Sequence, residues 1–352
     1  MPVFSPGANC YPHWSLTMLD WLLLAIGALL LYFGAEWFVG GASALALAMR
    51  IPQIIVGLTI VSYGTSMPEA VVGIEAAHSG HGIIALGNVI GSNIANIGLI
   101  LGLAAIVRPA KVDGALGRRE LPVLLISALA VPICLIDGVV GRNEALALIA
   151  AALIYTAWMI RPHFGLLLAR LQQRNSVTQE PGSEVENKDA ETLGSDEQPK
   201  LMRSLRSASI AVVGLGVLLA GGSLFVDSAV SIAEDLGLSA RLVGLTIVAL
   251  GTSLPELVTS MVAARRGHSD LAVGNVVGSN IFNVLVCLGG AALAGEVASP
   301  LNRLAFELSA LILITILGVV LIRSERTISR LEGGIALCAF LIFLVFTILR
   351  DG

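Results

Sequence analysis

The segment Val56–Gly98 recurs without a gap as Val243–Leu285, at one constant offset, and 25 of the 43 paired positions are identical. Each copy is an apolar run broken by Gly-Thr-Ser-x-Pro-Glu and followed by Gly-Asn-Val-x-Gly-Ser-Asn-Ile-x-Asn. Each therefore sets one carboxylate, Glu69 or Glu256, in the middle of apolar sequence. A duplicated pair of apolar helices interrupted by glycine and proline points to the ion site of a secondary transporter. The relation reaches further back: Gly34, Phe38, Val39, Ala42 and Ala46 match Gly221, Phe225, Val226, Ala229 and Ala233.

The apolar runs predict an all-α polytopic membrane protein. Charged residues make up 13% of the chain against about 25% in soluble domains, and the mean hydropathy is +0.87. Runs long enough to span fall near 18–48, 52–78, 82–107, 120–140 and 143–161, then near 206–235, 240–264, 269–294, 301–322 and 331–349. That predicts ten helices as two five-helix repeats: residues 1–17 as an N-terminal extracytoplasmic segment, 18–162 as the first repeat, 163–204 as a linker and 205–352 as the second. Met1 to Ser15 carries no positive charge and no clean cleavage signal, so the first run reads as a retained helix. With the linker on the cytoplasmic side, 17 Lys and Arg fall on that side and 4 on the other. The positive-inside rule then puts both termini outside. Five spans per repeat is odd, so the second repeat enters the membrane in the opposite sense. The polar stretch Ser176–Lys200, rich in acid, reads as a disordered linker without the loop spacing of a dedicated calcium site. Four scattered cysteines form no metal or disulfide pattern. Nothing suggests a nucleic acid, a cofactor or an obligate protein partner; the bilayer is the surrounding medium.

Elementary chemistry gives the broken helices a purpose. Pro68 has no N–H, so the Gly64 carbonyl loses its helical partner, and Thr65 and Ser66 suit the cap of a new helix. Irregular backbone at membrane depth survives only where it is buried in protein or lines a polar cavity. Freed carbonyls, hydroxyls and a carboxylate make an oxygen-rich environment of the kind hard cations prefer. Gly251-Thr252-Ser253-Leu254-Pro255-Glu256 provides the twin. In the next helix Ser92 and Asn96 share a face, as do Ser279 and Asn283. The predicted ring holds two Glu, two Asn, four Ser and two Thr, and two carboxylates balance one Ca²⁺ or two Na⁺.

These paired blocks resemble the two alpha repeats of the sodium/calcium exchanger family, within the cation/calcium exchanger superfamily. The resemblance implies ten helices in inverted halves, with a site between the second and third helices of each half. It implies that Glu69, Glu256, Thr65 and Thr252 hold Ca²⁺, the threonines mainly through backbone carbonyls. Ser66, Ser253, Ser92, Ser279 and carbonyls near Ser62 and Ala249 would complete the Na⁺ sites, beside Asn96 and Asn283. Many relatives carry Asp where Asn283 stands; Asn keeps an oxygen and removes a charge, which bears on Na⁺ stoichiometry and argues against potassium co-transport. The implied activity is export of Ca²⁺ driven by inward Na⁺. Three Na⁺ per Ca²⁺ would move one net charge, about 2.3 kcal/mol per 100 mV. The first helix of each half, rich in glycine, would slide over the site as the gate.

Other readings stand beside this one. A proton/calcium exchanger would use the same scaffold but carries different blocks around its glutamates. A channel could use carboxylate rings, and an intramembrane hydrolase would need a base near Ser66 or Ser253. Asn96 and Asn283 could be hydrogen-bond glue between helices. Glu36 and Asp227 read as interfacial or packing residues, Glu75 as a solvated helix end, and His78, His81 and His268 as loop residues. Glu307 is left unassigned, with no repeat partner.

Overall fold

The structure, a computed structural model, describes residues 13–49, 51–111, 114–177, 188–236, 249–323 and 327–351. Among the described residues it is helical apart from short turns and connections and four two-residue strands. The first half runs α1 (His13–Met49), α2 (Gln53–Thr65), α3 (Met67–His78), α4 (Gly82–Val107), α5 (Gly114–Cys134) and α6 (Arg142–Val177). The second runs α7 (Lys188–Asp235), α8 (Ala249–Gly251), α9 (Leu254–Arg266), α10 (Ser269–Ala294), α11 (Ala305–Arg323) and α12 (Arg330–Asp351). Among the described residues six helices are long and apolar enough to cross a membrane, or seven when α2 and α3 count as one span bent by 44°. Part of the expected span at 240–264 lies outside the described residues. The expectation of a structureless linker needs correction: α6 continues to Val177 and α7 starts at Lys188. Ala190, Glu191, Leu193, Glu197 and Gln198 are good helix formers, and Asp189 and Glu191 suit a helix N-terminus. Residues 178–187 of that linker lie outside the described residues.

Helices α1 and α7 pack antiparallel at backbone contact. A Cβ added at Gly34 would lie 2.4 Å from the Leu218 nitrogen, and one at Gly214 would lie 2.4 Å from the Phe38 nitrogen. Gly27 and Gly41 repeat the approach one heptad to either side, against Phe225 and Ala211. Small residues let helices approach where lipid supplies no hydrophobic drive, so dispersion and close fit hold the pair. The outer faces stay apolar and uncovered, with Trp21, Leu22, Leu29 and Phe33 about half exposed, as lipid contact requires.

The remaining helices form the core. Leu86, Ile90, Ile94 and Ile97 of α4 interlock with Val277, Ile281 and Leu288 of α10, and α5, α6, α11 and α12 close around them. Strand β1 (Ala110–Lys111) pairs antiparallel with β4 (Thr327–Ile328), and β2 (Val139–Val140) with β3 (Val297–Ala298). Each short ladder joins a loop of one half to a loop of the other.

The structure also supplies a repeat partner for Glu307. Glu120 precedes it by the repeat offset, in the second turn of α5, whereas Glu307 lies in the first turn of α11. Glu120 is buried and accepts a hydrogen bond from the Tyr155 hydroxyl, whereas Glu307 pairs with Arg350. The match was hidden because few residues around it are shared, and the two acids have taken different partners.

Candidate functional site

Both breaks have the same backbone. Ser66 sits at φ −84°, ψ 8° and Ser253 at φ −87°, ψ 6°, each followed by a helix with proline in its first turn. This turns the chain and brings Glu69 and Glu256 into the first turns of α3 and α9, where both are 1% exposed. A helix N-terminus favours negative charge, which suits a carboxylate placed there.

The two halves complete each other. The Ser66 hydroxyl donates to Oε1 of Glu256 at 2.7 Å, and the Ser253 hydroxyl donates to Oε1 of Glu69 at 3.0 Å. Ser253 also lies 3.3 Å from the Ser92 hydroxyl. The second oxygen of each carboxylate, Oε2, is buried without a hydrogen-bond partner, and so are Oδ1 of Asn96 and the Ser279 hydroxyl. Buried polar atoms are nearly always satisfied, so four orphaned oxygens around one locus mark a place for a ligand. The arrangement offers two negative charges and neutral oxygens to a hard cation. Among the described residues no three His, Cys, Asp or Glu side chains gather as a resident metal cluster.

The other expected residues are placed as follows. Thr65 donates to the Val61 carbonyl at 3.1 Å and to Oδ1 of Asn275 at 3.3 Å, and Thr252 donates to Oδ1 of Asn88 at 3.4 Å. The Ser62 hydroxyl donates to the Leu58 carbonyl at 2.8 Å. Ala249 opens the short turn α8, ahead of the break. Asn96 and Asn283 each begin a π-helical stretch, Asn96–Leu101 and Asn283–Leu288. A simple i, i+4 face therefore ends at the asparagine itself; such π segments are frequent at functional sites. Glu75 is exposed at its helix end, as expected.

Four side chains matter more than the sequence indicated. Asn88 donates to the Glu69 carbonyl at 3.1 Å while accepting from Thr252, and Asn275 donates to the Glu256 carbonyl at 3.5 Å and to Ser260 at 2.9 Å while accepting from Thr65. Each amide thus bridges the carboxylate segment of its own half and the threonine of the other. Asn93 and Asn280 join Asn96 and Asn283 in a buried amide cluster: Asn283 donates to Asn93 at 3.2 Å and Asn96 to Asn280 at 3.1 Å. Their signal was present in the duplicated Gly-Asn and Ser-Asn pairs, but the bonds between halves join distant parts of the sequence and only folding reveals them.

Comparison with known proteins agrees with this geometry. The profile of the sodium/calcium exchanger protein family matches residues 19–161 and 206–349. The chain belongs to the sodium/calcium exchanger family. The sodium/calcium exchanger MaX1 of Methanosarcina acetivorans is 33% identical over 341 residues, covering 93% of this chain and 97% of that protein. The putative antiporter CaxA of Alkalimonas amylolytica is 35% identical over 323 residues, covering 91% and 96%. A solved structure of the sodium-calcium exchanger NCX_Mj, soaked with Na⁺ and Ca²⁺, superposes with a TM-score of 0.76 at 30% identity, over 93% of this chain and 98% of that one. Members of the exchanger family are membrane transporters, not enzymes, and this member is a cation/Ca²⁺ antiporter.

Proposed function

We propose that the protein exports Ca²⁺ in exchange for inward Na⁺ by alternating access. The observation that carries this is the crosswise pair of buried carboxylates, each held through one oxygen by a serine of the other half and each leaving one oxygen unpartnered. Glu69 and Glu256, with carbonyls of Thr65 and Thr252, take Ca²⁺. Ser66, Ser253, Ser92 and Ser279, with carbonyls near Ser62 and Ala249, complete sites for Na⁺ that overlap the Ca²⁺ site. Asn96 and Asn283 stand between them as neutral ligands. Two carboxylates need two positive charges before they can be carried through a low-dielectric barrier, so an empty site resists the switch and a loaded one permits it.

In this proposal the chain has ten helices in two inverted five-helix repeats. The repeated elements support it: β1 and β3 begin at the repeat offset, at Ala110 and Val297, and so do the two π-helical stretches, at Asn96 and Asn283. The count of Lys and Arg supports termini outside and the 163–204 linker inside, in the plasma or inner membrane of a prokaryote. The α1–α7 pair, fused by its glycines, is the element that slides over the site.

Radioactive Ca²⁺ uptake tests the function in proteoliposomes loaded with Na⁺ and diluted into Na⁺-free buffer, beside a pH-gradient control. Uptake that needs the outward Na⁺ gradient is the expected result. Uptake that follows the pH gradient alone makes the coupling ion a proton, and none with either gradient refutes Ca²⁺ as substrate.

A further inference from the structure

The two halves are alike at the site but not at the gate. Met67 and Val71 of α3 are 47% and 59% exposed, whereas their repeat equivalents, Leu254 and Val258 of α9, are packed into the cluster formed with α1. Helix α1 lies along α9, and among the described residues α7 makes no comparable contact with α3. One face is covered by α1 and its twin is left exposed.

Polar contacts secure the covered side. Arg266, at the end of α9, pairs with Glu36 of α1, and its guanidinium lies across Gly40, where a Cβ would come within 2.7 Å of Nη1. Gly267 follows at φ +84°, a left-handed cap open to glycine at little cost. It turns the chain so that His268 reaches back to α1. There Nε2 of His268 lies 3.3 Å from the Ser43 hydroxyl and Nδ1 lies 3.0 Å from Oε1 of Gln53, while Gln53 donates to Ser43 at 2.9 Å. Ser43 is 4% exposed. Reading His268 as a plain loop residue and Glu36 as a packing residue was therefore incomplete: both fasten α1 to the core.

The other half has no such set. The repeat equivalents of Glu36, Ser43, Gln53, Arg266 and His268 are Ser223, Val230, Ala240, Ser79 and His81. The charge pair becomes two serines, and the three-residue ring keeps only its histidine. If the halves exchange conformations during transport, the state in which α7 closes on α3 cannot form these contacts.

We propose that Glu36–Arg266 and Ser43–Gln53–His268 form a one-sided latch that makes the two end states of the transport cycle unequal and favours the one seen here. This rests on the alternating-access reading above. Under the charge-derived topology the latch lies at the cytoplasmic end of α9, so the favoured state is closed to the cytoplasm. A partly exposed ion pair contributes about 0–1 kcal/mol, so losing it shifts the equilibrium up to about five-fold. Apparent affinity scales with the fraction of protein in the competent state.

The test measures the Ca²⁺ dependence of exchange separately from the two membrane faces, in vesicles of each orientation, for the unmodified chain, Glu36→Gln, Arg266→Gln and the charge swap Glu36→Arg/Arg266→Glu. Each single variant is expected to tighten apparent Ca²⁺ affinity about two- to five-fold at the latch face and weaken it at the opposite face, and the swap is expected to restore both. Equal changes at the two faces, or none, would overturn the latch. Absence of exchange in the unmodified chain would instead refute the proposed function. Ser43→Ala is a second, uncharged variant expected to move both affinities in the same reciprocal sense.

Discussion

Gly214→Ala puts a number on the fusion of α1 and α7. The new methyl would lie 2.4 Å from the nitrogen and 2.9 Å from the Cα of Phe38, and 2.8 Å from the Trp37 carbonyl carbon. All three are backbone atoms, so no side chain can rotate away. Reaching an ordinary contact of about 3.4 Å requires the helices to part by about 1 Å, which forfeits much of the dispersion energy along the seam. Overpacking of this kind costs about 1–3 kcal/mol, against about 0.5–1 kcal/mol gained because alanine loses less entropy than glycine in a helix. The net expectation is a loss of about 1–2 kcal/mol. Gly216 is the internal control, two residues along the same helix with nothing within 4 Å of its Cβ. Gly216→Ala keeps the gain without the clash and should stabilise by about 0.5–1 kcal/mol. Thermal unfolding of the purified protein in one detergent compares them directly. The midpoint of Gly214→Ala should fall below that of the unmodified chain and that of Gly216→Ala should rise above it. If Gly214→Ala matches or exceeds Gly216→Ala, the close seam between α1 and α7 is wrong.

Glu69→Gln and Glu256→Gln should each abolish Ca²⁺ binding by calorimetry as well as exchange; normal flux in either removes that residue from the site. Asn283→Asp adds a carboxylate to the amide cluster facing Asn93 and should change Na⁺ or K⁺ dependence while sparing Ca²⁺ binding, which ion-substitution assays read directly. Asn88→Ala removes the acceptor of the Thr252 hydroxyl, and Asn275→Ala removes the donor to the buried Ser260 hydroxyl while Thr65 keeps the Val61 carbonyl; each buried group left unpaired costs about 1–3 kcal/mol. Both should lower the unfolding midpoint, and a midpoint unchanged from that of the unmodified chain would contradict the bridging role.

The broken helices were legible because their causes are local. Proline removes a donor, serine and threonine cap, and a carboxylate in apolar sequence advertises a function, all within the short motifs that begin at Gly64 and Gly251. That Ser66, Ser253, Glu69 and Glu256 lie together was expected from the duplicated breaks and from the family resemblance. What stayed hidden depends on which side chain of one half meets which of the other. The resemblance already implied that Thr65 and Thr252 act mainly through their carbonyls, but nothing in the sequence showed that their hydroxyls donate to Asn275 and Asn88 of the other half. Glu36 and His268 carried no motif, and their meaning arises from a turn at Gly267 that returns the chain to α1. Glu120 escaped notice as the counterpart of Glu307 because few residues around the two are shared.

The crosswise serine–carboxylate bonds bear on ancestry. Each Gly-Thr-Ser-x-Pro-Glu segment supplies the donor for the other's acid and never for its own. A half-length forebear carrying one such segment would have held a lone membrane carboxylate with nothing to steady it. Its site would have become complete only when a second copy lent its serine. Fusion of two copies would preserve a partnership the site already needed while leaving the copies free to diverge elsewhere, as Glu36 and Arg266 differ from their counterparts Ser223 and Ser79.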